Sequence, residues 1–220
     1  MPIRGSLIET AAGVILRTRP LTETSLIVHW LTGDQGRLAT VAKGARRAKS
    51  VFRGKLDLFY TGEFSFSRSR HSELHTLREV ELQRTHPELR QDLARLQQAC
   101  YCANLVEQTT EMETPLPRVF DFFSGFLDHL AATGAQAQNI FAFEFKLLRE
   151  LGLQPELDKT RLNVGTKLLV KALAEGDWQM IGRIRLSEAQ MKELNQFLHG
   201  FLIFHLGRIP KGRAGIVTRS

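Results

Sequence analysis

Leu58-Phe59-Tyr60-Thr61-Gly62-Glu63-Phe64-Ser65-Phe66-Ser67 is the stretch on which the first half of the fold turns. Leu58, Tyr60, Gly62, Phe64 and Phe66 alternate with Phe59, Thr61, Glu63, Ser65 and Ser67. Successive side chains of an extended strand point to opposite faces. Period two therefore predicts a strand with the first set inward and the second mostly toward water. Upstream, Gly13–Arg17 and Ser25–Leu31 are β-rich runs separated by turn residues around Pro20, and Thr32–Gly36 leads into Arg37–Ala42 as a hairpin loop. Downstream, Leu74–Leu82 follows the polar turn Arg68–Ser72. Five short strands with no helical period between them predict a small closed or partly open barrel.

After His86-Pro87 the period changes. Leu89, Leu93, Leu96, Cys100 and Ala103 step by fours and threes, which predicts one stripe of an amphipathic helix. Phe120, Phe123, Leu127 and Leu130 mark a second helix. Residues 138–151 are apolar nearly all round and predict a central buried helix, ended by Gly152 and Pro155. A shorter helix is expected over 162–174. The last opens with the capping-box spacing of Ser187 and Gln190, carries Met191, Leu194, Leu198, Phe201 and His205 as its stripe, and closes at Gly207 and Pro210. The expected architecture is α+β, with a barrel domain at 1–84 and an all-helical domain at 85–220.

The chain has 220 residues and a net charge of +7, unevenly spread. Residues 1–84 hold 14 cations against 8 anions, residues 85–159 hold 6 against 11, and residues 160–220 hold 10 against 4. The densest run is Lys43–Lys55, KGARRAKSVFRGK, with six cations, two glycines and no acid. A loop built this way repels itself unless a polyanion neutralises it. Nucleic acid is the first expectation. An acidic protein partner, an anionic lipid surface and a merely solvated loop stay open on charge alone. Six phosphate contacts would give a salt slope of about −5, or roughly a thousandfold in affinity between 50 and 200 mM salt. Phe52 and Tyr60 are the nearby aromatics able to stack on a base, and both are expected to face the barrel core. A second basic region, Arg208, Lys211, Arg213 and Arg219, follows the last acidic residue, Glu193.

No catalytic signature is present. Gly165-Thr166-Lys167 lacks the upstream glycine of a phosphate-binding loop, and neither a nucleophile elbow nor a C-x-x-C pair occurs. Cys100 and Cys102, one residue apart on a predicted helix, point about 200° apart and do not converge on a metal. No run of residues reaches the roughly 20 apolar positions of a membrane-spanning helix, and the first residues lack a secretory pattern. A cytoplasmic, non-enzymatic protein is expected.

Three stretches carry a family resemblance: Val14–Pro20 with Glu23–Val28; Val41-Ala42-Lys43-Gly44-Ala45-Arg46-Arg47-Ala48-Lys49-Ser50 running on to Phe52-Arg53-Gly54; and Thr76–Leu82. Their order and spacing resemble the N-terminal domain of the bacterial recombination mediator family RecO, over about a third of the chain. Leu151-Gly152-Leu153, Pro155, Leu157 and Asp158 look like the family's segment after its central helix. The resemblance implies an OB-fold followed by a helical domain, and ATP-independent binding of single- and double-stranded DNA. It implies annealing of strands coated with single-stranded DNA-binding protein (SSB), work with RecR in loading RecA, a nucleoid-associated location, and contact with the acidic SSB tail.

Lys43, Arg46, Arg47, Lys49, Arg53 and Lys55 are the expected DNA contacts, with Arg37, Arg17 and Arg19 as neighbours. Arg208, Lys211 and Arg213 are the expected partner contacts. Many family members carry two C-x-x-C pairs that bind zinc just after the Pro155 segment. Thr160 stands at the first of those positions and no cysteine lies beyond Cys102. A zinc-less member with no cofactor is expected. The rival reading is an adaptor whose basic surfaces capture acidic peptide tails.

Overall fold

The computed structural model describes residues 8–217. Five strands, β1 (Ile8–Pro20), β2 (Leu26–Thr32), β3 (Arg37–Ala42), β4 (Thr61–Ser67) and β5 (Leu74–Arg84), close into a barrel in the order β1-β2-β3-β5-β4. β3 and β5 pair in parallel and every other neighbour is antiparallel. This is the five-stranded OB-fold expected from the sequence, and β1 is long enough to pair with both β2 and β4. Inward positions alternate as period two requires: Val28 and Trp30 on β2, Leu38 on β3, Phe64 and Phe66 on β4. Trp30 stacks on Phe64 with ring centroids 4.1 Å apart and donates its indole N–H to Thr40 Oγ1 at 2.9 Å. The one polar atom of that ring is thereby satisfied inside the barrel.

The alternation is not complete: β2 is buried on both faces from Ile27 to Thr32, and Ser67, in the outward set of the opening stretch, is buried; it fails most clearly at the start of that stretch. Phe59, placed toward water by the sequence pattern, is 1% exposed. β4 begins only at Thr61, and Phe59 adopts φ +63°, which turns its ring inward. Its amide donates to the Ile15 carbonyl at 2.8 Å and its carbonyl meets His86 Nδ1 at 3.0 Å. A left-handed non-glycine residue costs about 1–2 kcal/mol; burial of a phenyl side chain offsets it.

The helices are α1 (Glu88–Gln91), α2 (Leu93–Thr109), α3 (Pro117–Thr133), α4 (Ala137–Glu150), α5 (Val164–Glu175), α6 (Trp178–Arg183), α7 (Glu188–Leu206) and α8 (Arg213–Val217). All residues of α4 from Ala137 to Leu148 are buried, as its all-round apolar sequence predicts. The Ser187/Gln190 capping box forms, and Gly207 ends α7 at φ +72°. Of the predicted stripe Leu89 and Ala103 are buried, but Leu96 and Cys100 are only half-buried and Leu93 is exposed, and the buried face of α2 also runs through Ala99, Cys102 and Val106. The helices α6 and α8 were not expected from the pattern.

Two compact units result, one of residues 8–86 with 110–121 and one of residues 87–109 with 122–217. Segment 110–121 lies with the barrel because strand chemistry continues into it. The Glu113 amide donates to the Arg37 carbonyl at 2.9 Å, and Met112 bridges Arg37. Arg68 then grips Glu9 through both carboxylate oxygens (2.7 and 2.9 Å) and reaches Glu113 at 2.6 Å. The buried His75 donates Nε2–H to the other Glu113 oxygen at 3.0 Å while its Nδ1 accepts from the Ser69 amide. The hydrogen bond from Arg68 holds the Glu9 carboxyl below its ordinary range.

Candidate nucleic-acid interface

The chain between β3 and β4 is a ladder of interlocked turns. The Arg47 amide donates to the Gly44 carbonyl, Ser50 to Arg47, Arg53 to Ser50 and Lys55 to Phe52, all at 3.0–3.2 Å. Gly44 and Gly54 take φ +70° and +73°, a region that costs other residues energy. A Cβ on Gly54 would meet nothing within 4 Å, so the dihedral and not space calls for glycine there. Phe52, 6% exposed, inserts into the barrel core and pins the middle of the run, while Val51 beside it is 73% exposed. The loop is also tied to the β1–β2 turn: the Arg46 amide donates to the Thr24 carbonyl at 3.0 Å and its guanidinium to the Thr22 carbonyl at 3.1 Å.

This frame leaves Lys43, Arg46, Arg47, Lys49 and Arg53 exposed. Lys55 differs. It is half-buried and donates Nζ–H to the Val80 carbonyl at 2.9 Å, so its charge is partly committed to β5. Arg17 and Arg19 are exposed on β1, across from His29 and Ile27 of β2. Arg19 shares a row with Ile27 and Val41, next to the start of the loop. Arg37 does not join them. It begins β3, six residues or about 20 Å of strand from Lys43, and its guanidinium donates to the Thr110 carbonyl at 2.5 Å. Arg17, Arg19 and Arg37 do act together on one group: burial first, and then these three charges, depress His29 to about 4.

Phe52 divides two grooves. On one side Arg46, Arg47 and Arg53, with Asp57 as the one carboxylate of the lining, stand over Leu26, Ala45, Leu56 and Tyr60 around an open groove of about 480 Å³. On the other, about 380 Å³ is lined by Glu63, Glu79 and Glu81 together with Lys55 and Arg78. Of the apolar residues of the first groove, Phe52 and Tyr60 were singled out by the sequence as able to stack on a base, whereas Leu26, Ala45 and Leu56 escaped it, because the strand pattern gives Leu26 no role beyond packing.

In the helical unit, Arg208 and Lys211 are exposed, but Arg213 is not a surface residue. It is 5% exposed and bidentate on Glu144 (2.6 and 2.8 Å), with a third bond to Asn195 at 2.6 Å. Tyr101 donates its hydroxyl to the same carboxylate at 2.5 Å, and burial together with the Glu144 charge pushes the phenol far up. The expectation that Arg213 faces a partner is thus corrected: a carboxylate inside the apolar α4 requires a buried cation. Glu144, set between Phe143 and Phe145, was the signal for it. Arg219 lies outside the described residues.

Residues 7–86 match the family profile described as Recombination protein O N terminal, and residues 90–162 match Recombination protein O C terminal. The chain belongs to the RecO family. It is 34% identical over 142 residues to DNA repair protein RecO of Rhodopirellula baltica, covering 64% of this chain and 53% of that one. It is 32% identical over 146 residues to the Bacillus subtilis protein of the same name (66% and 56%). The match to the Alkaliphilus metalliredigens protein is weaker, 27%, but covers 90% and 93% of the two chains. Over several relatives, then, the match spans little more than half their length.

The zinc site of many RecO proteins does not fit this chain. After the short 3₁₀ turn Leu157–Lys159, Thr160 donates its hydroxyl to the Leu157 carbonyl, and α5 starts at Val164. Cys100 and Cys102 sit on α2, where burial raises both thiols and disfavours the thiolate a metal needs. Among the described residues no three His, Cys, Asp or Glu side chains gather into a metal cage. No described helix is long and apolar enough to cross a membrane.

Proposed function

We propose that this RecO-family chain is an ATP-independent, non-enzymatic recombination mediator in DNA repair. It binds single- and double-stranded DNA and anneals complementary strands coated with SSB, and with RecR it helps to load RecA. The sequence division at 84/85 serves as the functional one, the barrel domain holding DNA and the helical domain serving partners. One observation carries the reading: five cations stand exposed on a loop whose backbone is already fixed by turns, by the Phe52 anchor and by the bonds to Thr22 and Thr24. Prepaid order of this kind means little conformational entropy is lost on binding. Arginine and lysine at these positions meet phosphate and not base edges, so binding is indifferent to sequence. Arg17 and Arg19 extend the surface along β1; Lys55 contributes less because of its bond to Val80, and Arg37 lies apart from it.

Annealing of complementary oligonucleotides precoated with SSB, without ATP, tests the proposal. Productive annealing is expected, and its loss in Arg46→Ala/Arg47→Ala/Lys49→Ala is expected with it. DNA binding without annealing would leave a generic binder.

A second reading has its own observation. Phe204 of α7 is 82% exposed, in contact with His205, which packs on Phe201, and Arg208 and Lys211 follow. An acidic peptide with an apolar end, such as the SSB tail, suits that surface. Binding of a synthetic acidic tail peptide, compared with naked oligonucleotide across salt concentrations, separates the two activities.

A further inference from the structure

The groove lined by Arg46, Arg47 and Arg53 has a floor that phosphate binding does not require. Leu26, Ala45, Leu56 and Tyr60 pack on the outside of the barrel core and are only half-buried. They meet under the three arginines beside the edge of Phe52. A phosphate gains nothing from an apolar floor and loses hydration over it. A nucleobase gains from both parts, since its π-face rests on aromatic and aliphatic surface while its flanking phosphates reach arginine. About 480 Å³ lies within the range of small-ligand pockets.

We propose that this groove receives one unpaired nucleobase of a DNA strand whose backbone runs along Arg46, Arg47 and Arg53. The assignment rests on the DNA-binding reading of the loop and adds to it a preference for unstacked strands. In a duplex both faces of each base are covered by its neighbours, so no base reaches the floor without being unstacked. The groove across Phe52 sets Glu63, Glu79 and Glu81 against Lys55 and Arg78 and is net acidic, whereas this one sets three arginines against Asp57 and is net basic, so the backbone is directed to the arginine side. A strand held this way presents its other bases outward, the arrangement that pairing with a complement requires.

The test compares a short fluorescent oligonucleotide with the same strand carrying abasic residues throughout, by anisotropy on the full chain. Base stacking predicts about 5- to 150-fold weaker binding of the abasic strand, with the salt slope unchanged because the phosphates are the same. Ala48 lines the groove and is exposed, so Ala48→Leu fills the space without entering the core. It is expected to bring the normal strand down to the affinity of the abasic one and to leave duplex binding unchanged. Tyr60→Ala should act in the same direction. Equal affinity for normal and abasic strands overturns the base pocket. If Arg46→Ala/Arg47→Ala/Arg53→Ala then weakens both strands alike, the phosphate-binding loop stands without the pocket; if it weakens neither, both readings fall together.

Discussion

Arg47 on the β3–β4 loop and Arg213 on α8 carry the same guanidinium into opposite surroundings. The first is exposed amid five other cations, with no carboxylate in its own run. The second is enclosed with Glu144, Asn195 and Tyr101, and every part of its fork is taken. Both belong to strongly basic stretches of sequence, and counting charge treats them as equivalent. What separates them is the acid: a carboxylate buried in α4 captures Arg213 with both its oxygens, whereas the carboxylate that shares a groove with Arg46, Arg47 and Arg53 is the exposed Asp57. Unspent positive charge therefore collects on the loop, and that surplus is available to a polyanion.

Removing each arginine should separate the two roles. The largest effect is expected for Arg213→Ala, which strands Glu144, fully buried, without its counter-ion. Loss of one member of a buried pair costs about 3–5 kcal/mol, read as a shifted midpoint in denaturant titration. Arg213→Met combined with Glu144→Leu should recover much of that loss, and an unchanged midpoint in the single variant would dissolve the contrast. Next comes Arg46→Ala/Arg47→Ala/Lys49→Ala. Its stability should stay within about 0.5 kcal/mol of the parent, while the slope of log affinity against log salt becomes shallower by about 3. Affinity preserved at low salt would remove the loop from the interface.

Gly44→Ala is expected to cost about 1–2 kcal/mol, since φ +70° is required at the first turn of the loop. Reduced DNA affinity with all six cations retained would show that loop shape matters beside charge. The smallest effect is a pH dependence. His29 has a folded value near 4 against an ordinary 6.5, so the unfolded chain binds more protons between these limits. Its contribution to stability is complete above about pH 6.5 and is lost as the pH falls toward 4. His75 and His129 are depressed in the same direction by burial, so the share of His29 is the difference between parent and His29→Gln melting curves over that window.

The barrel was legible because period two records which side of a strand is wet, and in the opening stretch it places Phe64 and Phe66 without reference to distant residues. Phe59 was misplaced because a single left-handed residue shifts the phase and alternation has no term for it. The α2 face was placed only in part, at Leu89 and Ala103, for a different reason: a helix packed on several neighbours buries residues by tertiary contact, and Gln98 and Tyr101 enter the core through their partners. The attachment of segment 110–121 to the barrel depends on Arg37, Arg68 and His75, whose partners lie 38 to 76 residues away in the chain. Of the candidate site, the cations and glycines were visible as composition. Tyr60 was visible as an aromatic able to stack on a base, but the rest of the apolar floor was not, because it is assembled from β2, the loop and the approach to β4.

Phe52 has one more consequence. Because its ring belongs to the barrel core, the core cannot finish packing until the loop has folded with its mutually repelling charges drawn together. Dissolved ions then act on the same few residues with opposite signs. By screening the repulsion they favour the folded barrel, and, on the proposed function, by competing for phosphate they loosen its hold on DNA. Raising salt on the free protein should raise its melting temperature over the range in which the proposed DNA complex falls apart, a strand bound there taking the place of salt as the loop's counter-ion atmosphere.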